Sequence, residues 1–141
     1  MTFLLDTNVV SERSKAKPDP QVRRWLAAHK VGETYLSVIT LAELEQGVVR
    51  LGDTRRAEEL WAFLRGVEVQ FTGRVLPVDR EVARTWASIT ASAIQAGRTL
   101  VYADSLIAST ALTHGLTVVT RNVDDFLGTQ VGVVNPWQEA L

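Results

Sequence analysis

The chain of 141 residues contains no cysteine, only two histidines and no apolar run near the length of about 18 residues that marks a membrane helix. The lack of cysteine excludes disulfides and thiolate zinc sites and favours a reducing compartment, so we expect a cytoplasmic protein. No charged-then-apolar leader stands out, so we expect neither export nor membrane insertion. Because the net charge is only −1, a phosphate-bearing substrate would need local basic residues or bound cations.

What the chain does contain is an alternation of short apolar runs with helical patterns. Hydrophobic residues make up 46% of it, and no linker or repeat divides it, so we predict one domain over residues 1–141. The predicted strands are 3–5, 34–37, 75–78, 116–120 and 131–134, with Pro77 favouring an edge position for the third. The predicted helices are 20–30 after Asp19, 39–51, 54–66 after Asp53, 80–96 after Asp79, and 103–114. This alternation predicts an α/β fold with a parallel sheet between two helical layers.

Asp6 stands directly after the run Phe3–Leu5, which has the composition of a short strand buried on both faces. In an open parallel sheet, ligands bind just beyond the carboxyl ends of the strands, so this carboxylate is placed like an active-site residue. Thr7 and Asn8 follow it at once. The alternative is that Asp6 or Asn8 only caps the following short helix.

Three more acidic residues fall on the same rim of the predicted sheet. Glu43 lies in the helix after the second strand, Asp104 in the helix before the fourth strand, and Asp125 beyond the end of that strand. Each has a plain alternative. Thr40 and Glu43 fit a capping box, Asp104 fits a first-turn acid favoured by the helix dipole, and Asp124 with its neighbour fits a solvated loop. Four carboxylates on one rim nevertheless favour a shared site.

A shared acidic site needs a compensating cation, because two carboxylates about 4 Å apart repel by about 4 kcal/mol at an effective dielectric of about 20. Oxygen ligands without cysteine select a hard ion, Mg²⁺ or Mn²⁺, over Zn²⁺. His29 and His114 both fall at predicted helix ends, and neither has the setting of a ligand or a general base. An acidic metal site without a protein nucleophile indicates water attack on a phosphodiester.

Four segments resemble motifs of the PIN-domain ribonucleases, in that family's order and approximate spacing. They are LLDTN at 4–8, ITLAELEQG at 39–47, ADSLIASTA at 103–111 and VTRNVDDF at 119–126. Within that family the chain is most similar to the VapC-type toxins of bacterial toxin–antitoxin pairs, including the FitB-like members. The resemblance covers nearly the full length and implies a three-layer α/β/α PIN-like fold with a central, mostly parallel five-stranded sheet.

The resemblance also assigns residues. It implies a catalytic and metal-binding quartet made of Asp6, Glu43, Asp104 and Asp125. It implies polar support from Thr7, Asn8 and Thr120. Asp125 is preferred to Asp124 because it directly precedes Phe126, as in the family's DF pair. The segment 100–102 departs from the family, which often has a proline there, and this puts the local loop shape in doubt.

The resemblance further implies a Mg²⁺- or Mn²⁺-dependent endoribonuclease that is toxic when free and inhibited by a cognate antitoxin of the VapB or FitA kind. It implies a homodimer that contacts DNA only indirectly, through the antitoxin. We expect Arg121 and Arg13 to meet RNA phosphates, although ordinary surface charge is the alternative. The apolar segments 19–30 and 54–66 predict a groove for an antitoxin helix that directs an Arg or Lys at Asp6 and Asp104.

Two other functions fit parts of the pattern. A haloacid-dehalogenase-like phosphatase also begins with a strand ending in Asp, but it needs a second Asp where this chain has Asn8. A catalytically silent PIN-like module would bind a partner only, and such a module is expected to have lost at least one of the four carboxylates. None is missing here, so the ribonuclease interpretation is favoured.

Overall fold

A computed structural model describes residues 1–138 of the chain. Its strands are β1 (Phe3–Leu5), β2 (Thr34–Ser37), β3 (Val75–Leu76), β4 (Thr117–Val119) and β5 (Val133–Val134). Its α-helices are α1 (Thr7–Glu12), α2 (Pro20–Ala27), α3 (Val38–Val49), α4 (Arg55–Gln70), α5 (Arg80–Gln95) and α6 (Tyr102–His114). Short 3₁₀ helices cover Val31–Glu33 and Val123–Phe126.

The five strands form one sheet in the order β3-β2-β1-β4-β5. All four pairings are parallel, with Leu4 opposite Tyr35 on one side and Val118 on the other. The predicted parallel sheet is therefore confirmed, and β3 takes the edge position predicted from Pro77. Because β1 is central, its carboxyl end is flanked by the ends of both β2 and β4, which places Asp6 in the middle of the rim.

Helices cover both faces of the sheet, which confirms the three-layer arrangement. Successive residues of β1 point to opposite faces. Phe3 and Leu5 join a buried core with residues of α1, α2 and α4, namely Val9, Val10, Trp25 and Val67. Leu4 joins a second core with residues of α5 and α6, namely Ile89, Ile107, Ala108 and Ala111. No helix among residues 1–138 has both the length and the apolar character needed to cross a bilayer.

Helix caps explain where prediction and structure agree and where they differ. Asp19 and Asp79 cap α2 and α5 as predicted, by accepting hydrogen bonds from backbone N–H groups. The predicted cap of α4 was wrong: Thr54, not Asp53, accepts the bond from the N–H of Ala57, at 3.1 Å. This helix also continues past Gly66 to Gln70. A glycine costs a helix only about 1 kcal/mol, and burial of apolar residues on both sides of it offsets that cost.

The predicted helix over 20–30 is shorter in the structure, because α2 ends at Ala27. Beyond it, the ring Nδ1 of His29 lies 2.7 Å from the backbone oxygen of Trp25. The two rings also stack, with centroids 4.0 Å apart. His29 therefore closes a helix end, as the sequence indicated, and takes no part in the acidic rim.

Candidate active site

Asp6 is the buried centre of the site, with 4% of its surface exposed. Its Oδ1 accepts a hydrogen bond from the N–H of Thr7 at 2.8 Å. Its Oδ2 accepts one from the Thr120 hydroxyl at 2.7 Å and one from the Asn8 side-chain amide at 3.3 Å. The capping alternative is thus correct for Asp6, which is the N-cap of α1. Capping uses only one of its two oxygens, however, and the other is held by Thr120, just beyond β4, and by Asn8.

Glu43 reaches the same rim from α3. The Thr7 hydroxyl donates to its Oε1 at 2.6 Å, which joins α3 to the start of α1. The capping-box alternative for Glu43 was wrong, because the N-cap of α3 is Ser37, whose hydroxyl accepts from the N–H of Ile39. Glu43 therefore lies in the second turn of the helix, beyond reach of the cap, and faces the end of β1.

Asp104 lies in the first turn of α6, whose N-cap residue, Val101, provides no side-chain cap. Burial, followed by repulsion from Asp6, Asp125 and Glu43, raises the pKa of Asp104 to about 7. A helix dipole alone would lower the pKa of a carboxyl in the first turn. The surroundings of Asp104 therefore disfavour its charge, and the explanation by helix dipole alone does not account for the site.

Asp125 lies on the 3₁₀ helix Val123–Phe126 and is exposed. Its charge raises the pKa of both Asp6 and Asp104. Asp124 makes no such contribution to either carboxyl. The structure thus brings Asp125 together with the other acidic side chains and leaves its neighbour outside, in line with the preference taken from the DF pair.

The rim is an acidic cluster in which no carboxylate forms an ion pair with a Lys or Arg of residues 1–138. Burial raises the pKa of Asp6, hydrogen bonds from Thr120 and the Thr7 N–H oppose that rise, and repulsion from Glu43 and Asp125 adds to it. The ion pairs found within residues 1–138 lie elsewhere, between Lys15 and Glu12 and along α4. Such a site gains stability from any cation that binds it.

The donor set has the chemistry of a hard divalent cation site. It consists of carboxylate, hydroxyl and amide oxygens, without a sulfur or imidazole ligand, as Mg²⁺ and Mn²⁺ prefer. In the described part of the chain, no three His, Cys, Asp or Glu side chains stand close enough together to form a ready-made ligand set. The donor atoms of these residues are of the type that a hard divalent cation prefers. The carboxylates would have to move closer to one another to coordinate it.

Two further polar residues belong to the network, and the sequence analysis assigned neither of them to the site. Thr40 is fully buried, with its hydroxyl 3.5 Å from that of Thr7. The N–H of Asn122 donates to the Thr120 hydroxyl at 3.0 Å. A buried threonine one turn before Glu43 was visible in the sequence only as half of the supposed capping box.

The two predicted substrate arginines lie in different places. The backbone N–H of Arg121 donates to the Asn8 side chain at 3.1 Å, which ties it to the acidic cluster. Arg13 instead donates to the side chain of Gln70 at 2.7 Å and lines a cavity with Leu5 and Phe71. The structure therefore brings Arg121 to the site, and it does not bring Arg13 there.

An apolar groove of about 260 Å³ adjoins the cluster at Glu43 and Thr7. Its walls come from α1, α3 and α4 and include Leu44, Val48, Leu60, Phe63 and Leu64, with Arg56 at the edge. The prediction that segment 19–30 forms one wall was wrong, because residues of α2 line a separate surface cleft. The segment 54–66 does contribute, as predicted. We call this feature the α3–α4 groove.

Comparison with known proteins finds relatives that match this chain over nearly its whole length. The chain is 39% identical over 139 residues to VapC ribonuclease Y4jK of Sinorhizobium fredii, covering 98% of this chain and 99% of the relative. It is 40% identical over 138 residues to Toxin FitB of Neisseria gonorrhoeae, covering 97% and 99%.

Solved structures superpose on this chain over the same length. FitAcB from Neisseria gonorrhoeae superposes with a TM-score of 0.92 at 40% identity, covering 98% of this chain and 100% of that one. FitAB bound to an IR36 DNA fragment gives 0.92 at 37% identity, covering 99% of each. The PIN domain family matches residues 3–129. From its sheet order, its acidic rim and these matches, we conclude that the chain belongs to the PIN domain family.

Proposed function

We propose that this chain is the toxin of a toxin–antitoxin pair, an endoribonuclease that hydrolyses RNA phosphodiester bonds at the acidic rim. The observation that carries the proposal is the electrostatic coupling of four carboxylates beside the carboxyl ends of the strands, with which no Lys or Arg of residues 1–138 forms an ion pair. A relative named as a ribonuclease and another named as a toxin, each aligned over nearly its whole length, support it. The proposal includes a single domain over residues 1–141 and a cytoplasmic location.

In this proposal the rim holds Mg²⁺ or Mn²⁺. Asp6 and Asp104 bind the ion directly, and Glu43 and Asp125 bind it less directly or orient the attacking water. When bound, the ion lowers the pKa of water and offsets the charge of the phosphodiester. The hard-oxygen donor set and the raised pKa values of Asp6 and Asp104 support this assignment.

Neutral side chains of the chain keep the carboxylates in position. Thr120 and Asn8 hold one oxygen of Asp6, and Thr7 holds Glu43. Such supporting groups fix ligand orientation, and losing one typically costs about 10- to 100-fold in affinity or activity. Arg121 extends from the same network toward the RNA.

The proposed partners are a cognate antitoxin, an RNA substrate and a second copy of the chain, with DNA contacted only through the antitoxin. Solved complexes titled FitAcB and FitAB, the latter on DNA, support the assembly. In our proposal the antitoxin helix occupies the α3–α4 groove, which ends at Glu43. An Arg or Lys from the antitoxin can pair there with the carboxylates in competition with the metal.

The alternatives have less support. In the phosphatase alternative, the residue two positions after Asp6 acts as an acid, whereas here Asn8 is an amide that donates to Asp6 and accepts from Arg121. In the silent-module alternative, the rim needs no cation, and its four uncompensated carboxylates would only destabilise the fold.

Induced expression without an antitoxin tests the proposal. We expect the wild-type chain to arrest bacterial growth and to produce new RNA 5′ ends, because free enzyme cleaves essential RNA. The Asp6→Asn variant should do neither, whereas Asp53→Asn, which removes an exposed carboxylate far from the rim, should behave like wild type. Growth curves and transcriptome-wide mapping of 5′ ends provide the readout. Equal growth of the wild type and Asp6→Asn at equal protein levels would favour a silent module.

A further inference from the structure

A second cleft, of about 400 Å³, adjoins the acidic cluster on the side of β4 and β5. Its lining includes three carboxamide side chains, one guanidinium and two carboxylates, from Asn122, Asn135, Gln138, Arg121, Asp124 and Asp125. We call it the amide cleft. Asp125 belongs to both the cluster and the cleft, so a molecule in the amide cleft lies beside the proposed site of hydrolysis.

Arg121 forms a flat surface at this cleft. Its guanidinium carbon lies 5.2 Å from the centroid of the Trp137 ring. The ring packs against the core that contains Phe3 and Leu5, and the backbone N–H of Trp137 donates to the Asn135 side chain at 2.9 Å. The guanidinium of Arg121 makes no hydrogen bond with residues 1–138, so its N–H groups have no partner in the part of the chain that the structure describes. A guanidinium plane of this kind is a stacking surface for an unpaired base.

The charge of the lining favours a base over a phosphate. The lining carries one arginine and two carboxylates, Asp124 and Asp125, so its net negative charge disfavours an added phosphate. Carboxamides both donate and accept hydrogen bonds and match the edges of nucleobases. The side chains of Asn122 and Gln138 make no hydrogen bonds within the described residues, and they are therefore available for such pairing.

Hydrogen bonds from two backbone N–H groups connect the amide cleft to the acidic cluster. The N–H of Arg121 donates to Asn8, which donates to Asp6, and the N–H of Asn122 donates to Thr120. The two residues that face the cleft are thus held at a constant position relative to the central carboxylate. A base bound there would set the register of the RNA chain.

We propose that the amide cleft binds one unpaired RNA base next to the scissile phosphate and thereby determines the nucleotide preference of cleavage. This inference rests on the proposed ribonuclease function. It assigns Arg121 the role of a stacking surface and Asn122 the role of a base-edge contact.

Cleavage of a randomised single-stranded RNA decamer library by the purified chain tests the inference. We expect the wild type to show a preference at one position beside the cleaved bond. In Asn122→Ala and Arg121→Gln that preference should fall at least about fivefold, while preferences at other positions stay as they are. Arg23→Gln, which removes an exposed arginine from α2, is the matched control. A uniform loss of rate with an unchanged preference would overturn the inference.

A binding experiment distinguishes failure of this inference from failure of the proposed function. The same library is selected for binding to Asp6→Asn and to the double variant Asp6→Asn/Asn122→Ala. If the wild type cleaves no RNA, the proposed function fails, but enrichment of a base that depends on Asn122 would still support the cleft. Identical enrichment in the two proteins would contradict the cleft whether or not the wild type cleaves.

Discussion

Replacing Asp104 by asparagine is expected to reduce RNA cleavage by at least about 100-fold and at the same time to stabilise the metal-free fold. The loss of activity follows if Asp104 is the direct metal ligand that we propose, since losing such a ligand costs more than losing a supporting group. The gain in stability follows because burial and three neighbouring carboxylates raise the pKa of Asp104 to about 7. A bound metal ion would favour the charged form of Asp104, whereas burial and the neighbouring carboxylates destabilise that form in the metal-free protein.

The gain in stability expected for Asp104→Asn depends on pH, because the wild-type carboxyl titrates. The pKa of Asp104 is higher in the folded chain than the ordinary value of 3.8. Its protonation therefore stabilises the fold fully below about pH 4, and this contribution is lost as the pH rises through about 7. A rise in the pKa of Asp104 from 3.8 to about 7 corresponds to about 4 kcal/mol of folding free energy. Partial exposure of the side chain and screening by solvent reduce this to about 1–2 kcal/mol.

Thermal unfolding in EDTA at several pH values measures this effect. Asp104→Asn should unfold about 5 °C above the wild type at pH 8 and close to it at about pH 3.5, below the ordinary pKa of 3.8. Glu81→Gln is the matched control, since Glu81 is also a first-turn acid, on α5, but is exposed. It should give no such gain. A pH-independent difference, or none, would show that Asp104 is not under electrostatic strain.

Replacing Leu60 by aspartate is expected to weaken antitoxin binding by at least about 100-fold. Leu60 lines the α3–α4 groove with Phe63 and Leu44. A charge there must be desolvated without a partner when an apolar helix docks, which costs about 2–3 kcal/mol or more. Calorimetric titration of the purified antitoxin measures the change, and circular dichroism verifies the fold.

The control for this prediction lies on the same helix. Val69 is 75% exposed on α4 and lies outside the groove. Val69→Asp introduces the same charge into the same helix, and it should bind the antitoxin as the wild type does. If Leu60→Asp also binds normally, the antitoxin docks on another face.

The fold was predictable because its signals are local. The apolar run Phe3–Leu5, the aspartate caps of α2 and α5, and Pro77 after β3 each act over a few residues. The N-cap of α4 was predicted wrongly because two neighbouring residues could both act as the cap. Asp53 and Thr54 are both good caps, and the choice depended on which side chain met the N–H of Ala57.

The site was predictable in position but not in its connections. That Asp6, Glu43 and Asp104 share one rim follows from the order of strands and helices. The bond from Thr7 to Glu43 spans 36 positions in sequence, and no local pattern reveals it. Likewise, the wall of the groove opposite α4 depends on how helices pack, which is why α2 was assigned where α1 and α3 lie.

The most direct test of the central claim is the rate of RNA cleavage as a function of Mg²⁺ or Mn²⁺ concentration, after removal of metal by EDTA. The account predicts that the wild type is inactive without metal and reaches a saturating rate as metal is added. Glu43→Gln should need a higher metal concentration or stay inactive, whereas Glu45→Gln, an exposed neighbour on α3, should follow the wild type. Metal-independent cleavage, or a Glu43→Gln curve identical to the wild type, would contradict the assignment of the acidic rim.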